Sequence, residues 1–509
     1  MLDEIITRIL EDNHTGRLGK VFKTKNNRYF YDMGTGKIAQ INENVYIVLK
    51  QILEYGNLDN LNLTDKQISD ALLDIKDGVT KENILSAKLL TNMTGEADIN
   101  LEYYLENKLV SLLLEVTEKC NLRCKYCIYH PEHPEFRLFG HRDMTFDTAR
   151  KAVDILFENS LETEEELVVG FYGGEPLINI DLIKKVVCYA KELSVKYDKE
   201  LIFSMTTNGT LMSEEIAVFL LDNEFNIIFS LDGNKKLHDE NRVKVDGSGS
   251  FDDTFKGIKL YQKIKEDRDK SNMPLVFNMV IDGENVEERY NIIQDFFDSE
   301  EWLPNNLQVL TTAVDKGHEE YKYILPQSEE EKKLFLDSRD TEINWNDRNN
   351  ENREKNLFLS PSIMKGLSRI HNRICMDKPV ELYGMNGCCV PGQRRMYVTV
   401  DGEIYPCEKT GEAPIMGNVY SGFDMVKIRD KYVNDFKKEA KKYCRNCWAV
   451  NLCGLCYTSC FEGNDVHFEY RHIECLKERF YLSNLLSEYC ECLEKYPHII
   501  EEFKELEFR

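Results

Sequence analysis

The sequence predicts an α/β protein of several domains built on a parallel sheet. Three observations carry that prediction. Between residues 110 and 312, apolar runs of strand length alternate with helical stretches. The 16 cysteines bunch in two places, three between 120 and 127 and eleven between 388 and 492. At 509 residues the chain also exceeds one hydrophobic core, and its length suggests roughly two to four domains.

The first hundred residues read as a small domain. Asn27 to Ile41 holds two apolar runs around Gly34-Thr35-Gly36, a hairpin signal. Asn42 can cap a helix carrying Val45, Val48, Leu49, Ile52 and Leu53 at helical spacing. Thr64 and Gln67 form a capping box for a second helix, and a third is expected to begin near Thr80. Two strands and three helices fit a winged-helix-like module over 1–100, or a plain packing extension.

The central region, 108–315, offers six strand candidates: 111–117, 167–173, 201–209, 226–233, 274–281 and 307–313. Helical stretches such as Phe146 to Glu158 and Ile180 to Leu193 lie between them. This alternation means parallel β/α architecture, open or barrel-like, with functional loops at the C-terminal ends of strands. Residues 316–387 are rich in charge and Asn and read as a connector with a mobile surface loop. A cysteine-rich domain is expected over 388–480, and a C-terminal helix over 481–509 whose amphipathic pattern begins near Leu476.

Composition narrows the function. Hydrophobic residues make up 42% and charged residues 30%, the balance of a soluble globular protein. A net charge of −24 argues against a nucleic-acid surface. No run approaches the ~20 apolar residues of a membrane span, and the acidic start MLDEIITRILEDN is not a secretory signal. A cytoplasmic location follows, and there clustered cysteines indicate metal sites rather than disulfides. Cys188, Cys375, Cys490 and Cys492 are expected to be ordinary buried cysteines.

The segment EVTEKCNLRCKYCIYH places Cys120, Cys124 and Cys127 directly after the first core strand. A structural zinc site usually takes four ligands, and only His130 lies near enough in sequence to complete one. In a four-iron cubane, three thiolates leave one iron open to a ligand. The loop resembles the CxxxCxxC signature of the radical S-adenosylmethionine (SAM) superfamily. That resemblance implies a partial (β/α)6 barrel in which the open iron chelates the methionine part of SAM. Reductive cleavage then releases a 5′-deoxyadenosyl radical. Tyr126 matches the aromatic residue near adenine. In FYGGEP, Gly173, Gly174 and Glu175 would receive the cofactor's amino group. Thr207 of TTNGT and Ser230 of SLDG become candidates for its ribose or carboxylate. The stretch HDENRVKVDGSGSFD also resembles a segment of peptide-modifying members, with a structural role.

In the second region, MYVTVDGEIYPC reads as a hairpin turning at Asp401-Gly402 and presenting Cys407. Cys444, Cys447 and Cys453 follow as C-x2-C-x5-C. A zinc ribbon fits this pattern too. The region resembles the SPASM domain of radical enzymes that modify ribosomal peptides. By that resemblance Cys444, Cys447, Cys453 and Cys475 hold an outer auxiliary cluster. Cys389 and Cys407 hold an inner one, with a further ligand from CGLC. The family spacing departs there: Cys456 comes one residue early, Cys460 is a rival, and Cys388 is a possible fourth ligand. The implied cofactors are SAM and three [4Fe-4S] clusters, one radical SAM and two auxiliary.

The N-terminal module resembles a leader-peptide recognition element. The implied protein is a maturase of a ribosomally made Cys-rich precursor peptide, forming intramolecular thioethers of the sactipeptide or ranthipeptide kind. Its partners would be the leader-bearing precursor and a reducing flavodoxin or ferredoxin, with no nucleic acid or membrane. Other radical chemistry on a peptide (formylglycine formation, carbon–carbon links, epimerisation) and an iron–sulfur or zinc scaffold without chemistry are the alternatives. No acid–base side chain is singled out, because a primary alkyl radical takes hydrogen without one.

Overall fold

A computed structural model describes residues 4–131, 138–281, 286–313, 359–385, 389–409, 411 and 413–497. Most of the expected connector, and Cys388, lie outside the described residues.

The N-terminal module holds three antiparallel strands rather than two: β1 (Gly19–Lys23), β2 (Arg28–Asp32) and β3 (Ile38–Ile41), in the order β1-β2-β3. Asn42 caps the helix Glu43–Tyr55 by accepting from the Val45 amide. The capping box at Thr64 and Gln67 opens the helix Asp65–Glu82. That helix runs through Thr80, so no third helix starts there. The Thr80 hydroxyl is spent on the Lys76 carbonyl at 2.7 Å instead of capping a new turn. Two short helices, Glu96–Ile99 and Leu101–Asn107, follow.

The six expected core strands are present as β4 (Ser111–Thr117), β5 (Leu167–Gly173), β6 (Leu201–Thr207), β7 (Asn226–Ser230), β8 (Val276–Ile281) and β9 (Gln308–Ala313). They pair in parallel in chain order. Parallel neighbours need long crossovers, and the helices Phe146–Glu158 and Ile180–Tyr197 supply the first two. Cys188, expected to be buried, is exposed on the second of these. The core face of that helix is built by Leu182, Ile183, Val186, Val187, Ala190 and Leu193, which leaves Cys188 outside. Cys375 is exposed as well, whereas Cys490 is buried.

The expected hairpin forms as β10 (Met396–Val398) and β11 (Glu403–Tyr405), but it does not stand apart. β10 pairs in parallel with β4, and β12 (Gly417–Asn418) and β13 (Gly422–Phe423) extend the sheet to ten strands. The sheet is mixed and open, because β4 meets β10 rather than β9. Buried Glu115 on β4 accepts from the Val400 amide at 3.2 Å, which fixes the hairpin against the core.

The C-terminal helix begins at Phe468, earlier than the sequence indicated, and runs unbroken to Lys495. Cys475 therefore lies on it, and the boundary expected at 480/481 falls within it. Its Glu494 accepts from Thr24 and Tyr29 of the N-terminal sheet, each at 2.8 Å. Among the described residues no helix is long and apolar enough to cross a membrane.

Candidate active site

The loop after β4 carries Cys120, Cys124 and Cys127, and it is clamped from two sides. The Arg123 amide donates to Val243 O at 2.7 Å and the Lys125 amide to Asn241 O at 3.0 Å. On the other side Asn121 donates to Thr210 Oγ1 at 2.7 Å and accepts from Asn208 Nδ2 at 2.9 Å. The three sulfurs face a cavity of about 540 Å3, also lined by Tyr126, Gly173, Gly174, Glu175, Thr207 and Ser230. All nine residues singled out from the core sequence thus meet at one end of the sheet, at the C-terminal ends of its strands.

Two glycines allow this approach. A Cβ on Gly174 would lie 2.1 Å from the Lys119 carbonyl oxygen, and one on Gly173, at φ +130°, would lie 2.2 Å from Thr117 O. Gly174→Ala is therefore expected to displace the loop and to lower both iron content and SAM cleavage at least tenfold. Iron analysis and 5′-deoxyadenosine assay check this.

The Glu175 side chain lines the cavity and is held by three hydrogen bonds. Its carboxylate accepts from Thr207 Oγ1 (2.6 Å), the Asn208 amide (2.8 Å) and the Leu177 amide (3.1 Å). Burial pushes this carboxyl up to about 6, while the three hydrogen bonds hold it back. The Thr207 hydroxyl is committed to Glu175 and to the Gly209 amide. Both side chains thus lock the β5 and β6 loops together beside the Gly173–Gly174 backbone, which also lines the cavity.

Sequence reasoning missed the pair behind Tyr126. Arg242 donates to Asp232 through Nε at 2.8 Å and Nη2 at 3.1 Å, with side-chain exposures of 8% and 4%. Asp232 also accepts from the Tyr126 hydroxyl and from the Val280 amide. The Arg242 guanidinium sits 5.4 Å from the Tyr126 ring centre and lines the cavity. The HDENR stretch was the available signal, since it places an Arg in a segment otherwise read as structural.

His238 in that stretch is fully buried and accepts from the Asp232 amide through Nδ1 at 3.4 Å. Its Nε2 then donates to Ser250 Oγ, whose hydroxyl donates to Arg242 O. Only neutral imidazole fits this chain, and burial with the nearby Arg242 charge lowers its pKa from 6.5 to about 3. The unfolded chain therefore binds the extra proton between those values. Stability is full above pH 6.5 and is lost as pH falls towards 3, at up to ~1.4 kcal/mol per pH unit. The pH dependence of denaturant midpoints is expected to be flatter in His238→Gln by that slope.

The second cysteine region brings cysteines from several elements within electrostatic reach of one another. Cys444, which ends the helix Phe436–Cys444, lies within electrostatic reach of Cys447, Cys453 and Cys475. Cys389, Cys407 and Cys456 lie within electrostatic reach of one another, and the Tyr457 hydroxyl is 3.5 Å from Cys389 Sγ. Cys460, fully buried, is within electrostatic reach of both Cys444 and Cys456. Arg395 and Glu408, paired at 2.7 Å, line the cavity of the three-cysteine loop, so the hairpin bearing Cys407 forms part of its wall.

The donor sets fit iron–sulfur clusters. Burial pushes the Cys120 thiol up to about 12 and the Cys127 thiol to about 11. Such groups ionise only against a bound cation, so metal loading is coupled to proton release. Among the described residues, no three His, Cys, Asp or Glu side chains converge on a point for a single ion. A cubane does not require that, because its thiolates attach to different irons. In the second region the buried Arg471 keeps Nε and Nη1 without a hydrogen-bond partner beside Cys444, Cys453 and Cys475. Unpaired cationic donors in a dry site are costly unless an anion sits there.

Comparison with known proteins agrees. Residues 114–296 match the radical SAM superfamily, and residues 388–448 match SPASM, an iron–sulfur cluster-binding domain. A cysteine-type anaerobic sulfatase-maturating enzyme of Clostridium novyi (strain NT) is 25% identical over 389 residues, 71% of this chain and 90% of that protein. The radical SAM cyclopropyl synthase TigE of Paramaledivibacter caminithermalis is 30% identical over 194 residues, 36% of this chain and 38% of that one. The solved structure of native anSMEcpe with bound AdoMet shares the fold, with TM-score 0.50 and 21% identity over 75% of this chain and 99% of that one. The chain is an enzyme that joins a radical SAM core over residues 114–296 to a C-terminal iron–sulfur cluster-binding SPASM domain over residues 388–448.

Proposed function

We propose that the enzyme matures a ribosomally made Cys-rich precursor peptide by forming intramolecular thioether links. The observation that carries this reading is the shared cavity. Its floor is the loop of Cys120, Cys124 and Cys127, and its wall includes Arg395, Glu408 and Lys409 beside Cys407. A peptide held there lies between the origin of the radical and the inner cysteine group.

In this reading Cys120, Cys124 and Cys127 hold the radical cluster. Cys444, Cys447, Cys453 and Cys475 hold the outer auxiliary cluster, and Cys389, Cys407 and Cys456 the inner one, with Cys460 and Cys388 as rivals for its remaining position. The cofactors together supply a carbon-based oxidant and a sink for one electron. The chain's own residues orient and exclude water: Tyr126 is held by Asp232, and the Gly173–Gly174 backbone faces the ligand. The reductant is a flavodoxin or ferredoxin, and the site of action is the cytoplasm.

The leader binds the N-terminal module. β3 is an edge strand, and a cavity of about 530 Å3 lies beside it, lined by Ile38, Gln40, Ile41, Asp74, Ile75 and Glu82. An extended peptide can add to that edge through backbone hydrogen bonds.

Co-expression with any short Cys-rich peptide found encoded beside this gene tests the reading. Each link removes two hydrogens from the peptide and one alkylatable thiol, seen by mass spectrometry. A peptide that keeps its mass and its thiols sinks it. The long match to a sulfatase-maturating enzyme favours formylglycine formation as the second reading. In that case a Cys thiol is replaced by an aldehyde that a hydrazide captures.

A further inference from the structure

We propose that Arg471 is a positioning residue for the outer auxiliary cluster, holding its charge and raising its reduction potential. This rests on the assignment of Cys444, Cys447, Cys453 and Cys475 to that cluster.

Arg471 lies in the first turn of the helix Phe468–Lys495, four residues before Cys475. That spacing puts the two side chains on one helix face. The residue is fully buried. Its guanidinium packs 5.0 Å from the Phe468 ring centre and 5.5 Å from that of Phe436. Nη2 donates to Leu455 O at 2.9 Å and lies 3.8 Å from Cys453 Sγ. Nε and Nη1 have no partner. Cys453, Cys475, Cys444 and Cys460 are all within its electrostatic reach.

A dry guanidinium with two idle donors needs an anion, and no carboxylate pairs with it among the described residues. A cubane held by four thiolates is an anion, and reduction makes it more negative. A fixed cation with unpaired N–H donors beside such a cluster would favour its reduced form, because net charge and hydrogen bonds to sulfur set such potentials. The aromatic walls keep water from screening the charge. Lys could retain the charge but not the flat packing between two rings.

The test uses the full chain carrying Cys120→Ala, Cys124→Ala and Cys127→Ala, so that only auxiliary clusters remain. Arg471→Gln and Arg471→Lys are compared with this parent in iron content and in EPR-monitored redox titration. The expected result is a tenfold or larger fall in the reduced-to-oxidised ratio of the outer cluster at fixed potential in Arg471→Gln. That corresponds to ~59 mV for a one-electron couple. The inner cluster is unmoved, and Arg471→Lys recovers at least half of the shift. If Arg471→Gln instead sheds the outer cluster, retention of its iron in Arg471→Lys supports the charge role. An unchanged titration in Arg471→Gln, or equal loss of iron from both variants, overturns it. A parent that itself lacks an outer cluster overturns the ligand assignment and the inference with it, and that failure appears before any change at Arg471.

Discussion

Cys124→Ala is expected to abolish SAM cleavage and to remove about four irons per chain, leaving the auxiliary iron in place. The three sulfurs sit on one clamped loop, and two of them cannot hold a cubane that also keeps an iron open. Cys120→Ala and Cys127→Ala are expected to behave alike. The fold itself should tolerate the change, because a lost half-buried sulfur costs about 1 kcal/mol. Anaerobic chromatography of 5′-deoxyadenosine, iron analysis and circular dichroism together check this. Residual cleavage near the parent rate in any of the three variants would show that the loop is not the origin of the radical.

Arg242→Met is expected to destabilise the site by about 3–5 kcal/mol, since it strands the Asp232 carboxylate in a dry pocket. Asp232 would keep only the Tyr126 hydroxyl and the Val280 amide as donors. Both the Arg123 and Lys125 amides depend on the 241–243 segment that Arg242 anchors. Hydrogen exchange at those two amides is therefore expected to speed up ~100-fold or more, while the helix Glu43–Tyr55 is unaffected. Adding Asp232→Leu should restore part of the protection, because a pair of apolar side chains leaves no bare charge. An exchange pattern unchanged by Arg242→Met would mean that the loop is held by its backbone bonds alone.

Both predictions bear on one question, how a short cysteine loop is kept rigid enough for radical chemistry. The answer divides between side chains visible in sequence and contacts that are not. Cys120, Cys124 and Cys127 announce themselves by spacing. Asn121 and Arg242 do not, because their partners Thr210 and Asp232 lie on separate strand ends. The Glu175 carboxylate is instructive. Its position after the two glycines matches a ligand motif, and the fold adds Thr207, Asn208 and Leu177 as donors to it. A buried carboxylate takes the nearest backbone donors, and only the tertiary arrangement says which those are.

Local pattern was sufficient for the six core strands, the two N-terminal helix caps, the hairpin at Asp401-Gly402 and the three-cysteine loop. Each depends on periodicity, capping chemistry or spacing within a short window. The additional strand β1 of the N-terminal sheet, the reach of the C-terminal helix back to Phe468 and the union of the β10 hairpin with β4 were decided by the tertiary structure. So was the approach of Cys389 and Cys407 to within electrostatic reach of Cys456, and of Cys460 to both Cys444 and Cys456. The physical reason is the same in each case. Sheet pairing and cluster ligation join residues far apart in the chain, and burial of a shared core, rather than any local preference, selects the partners.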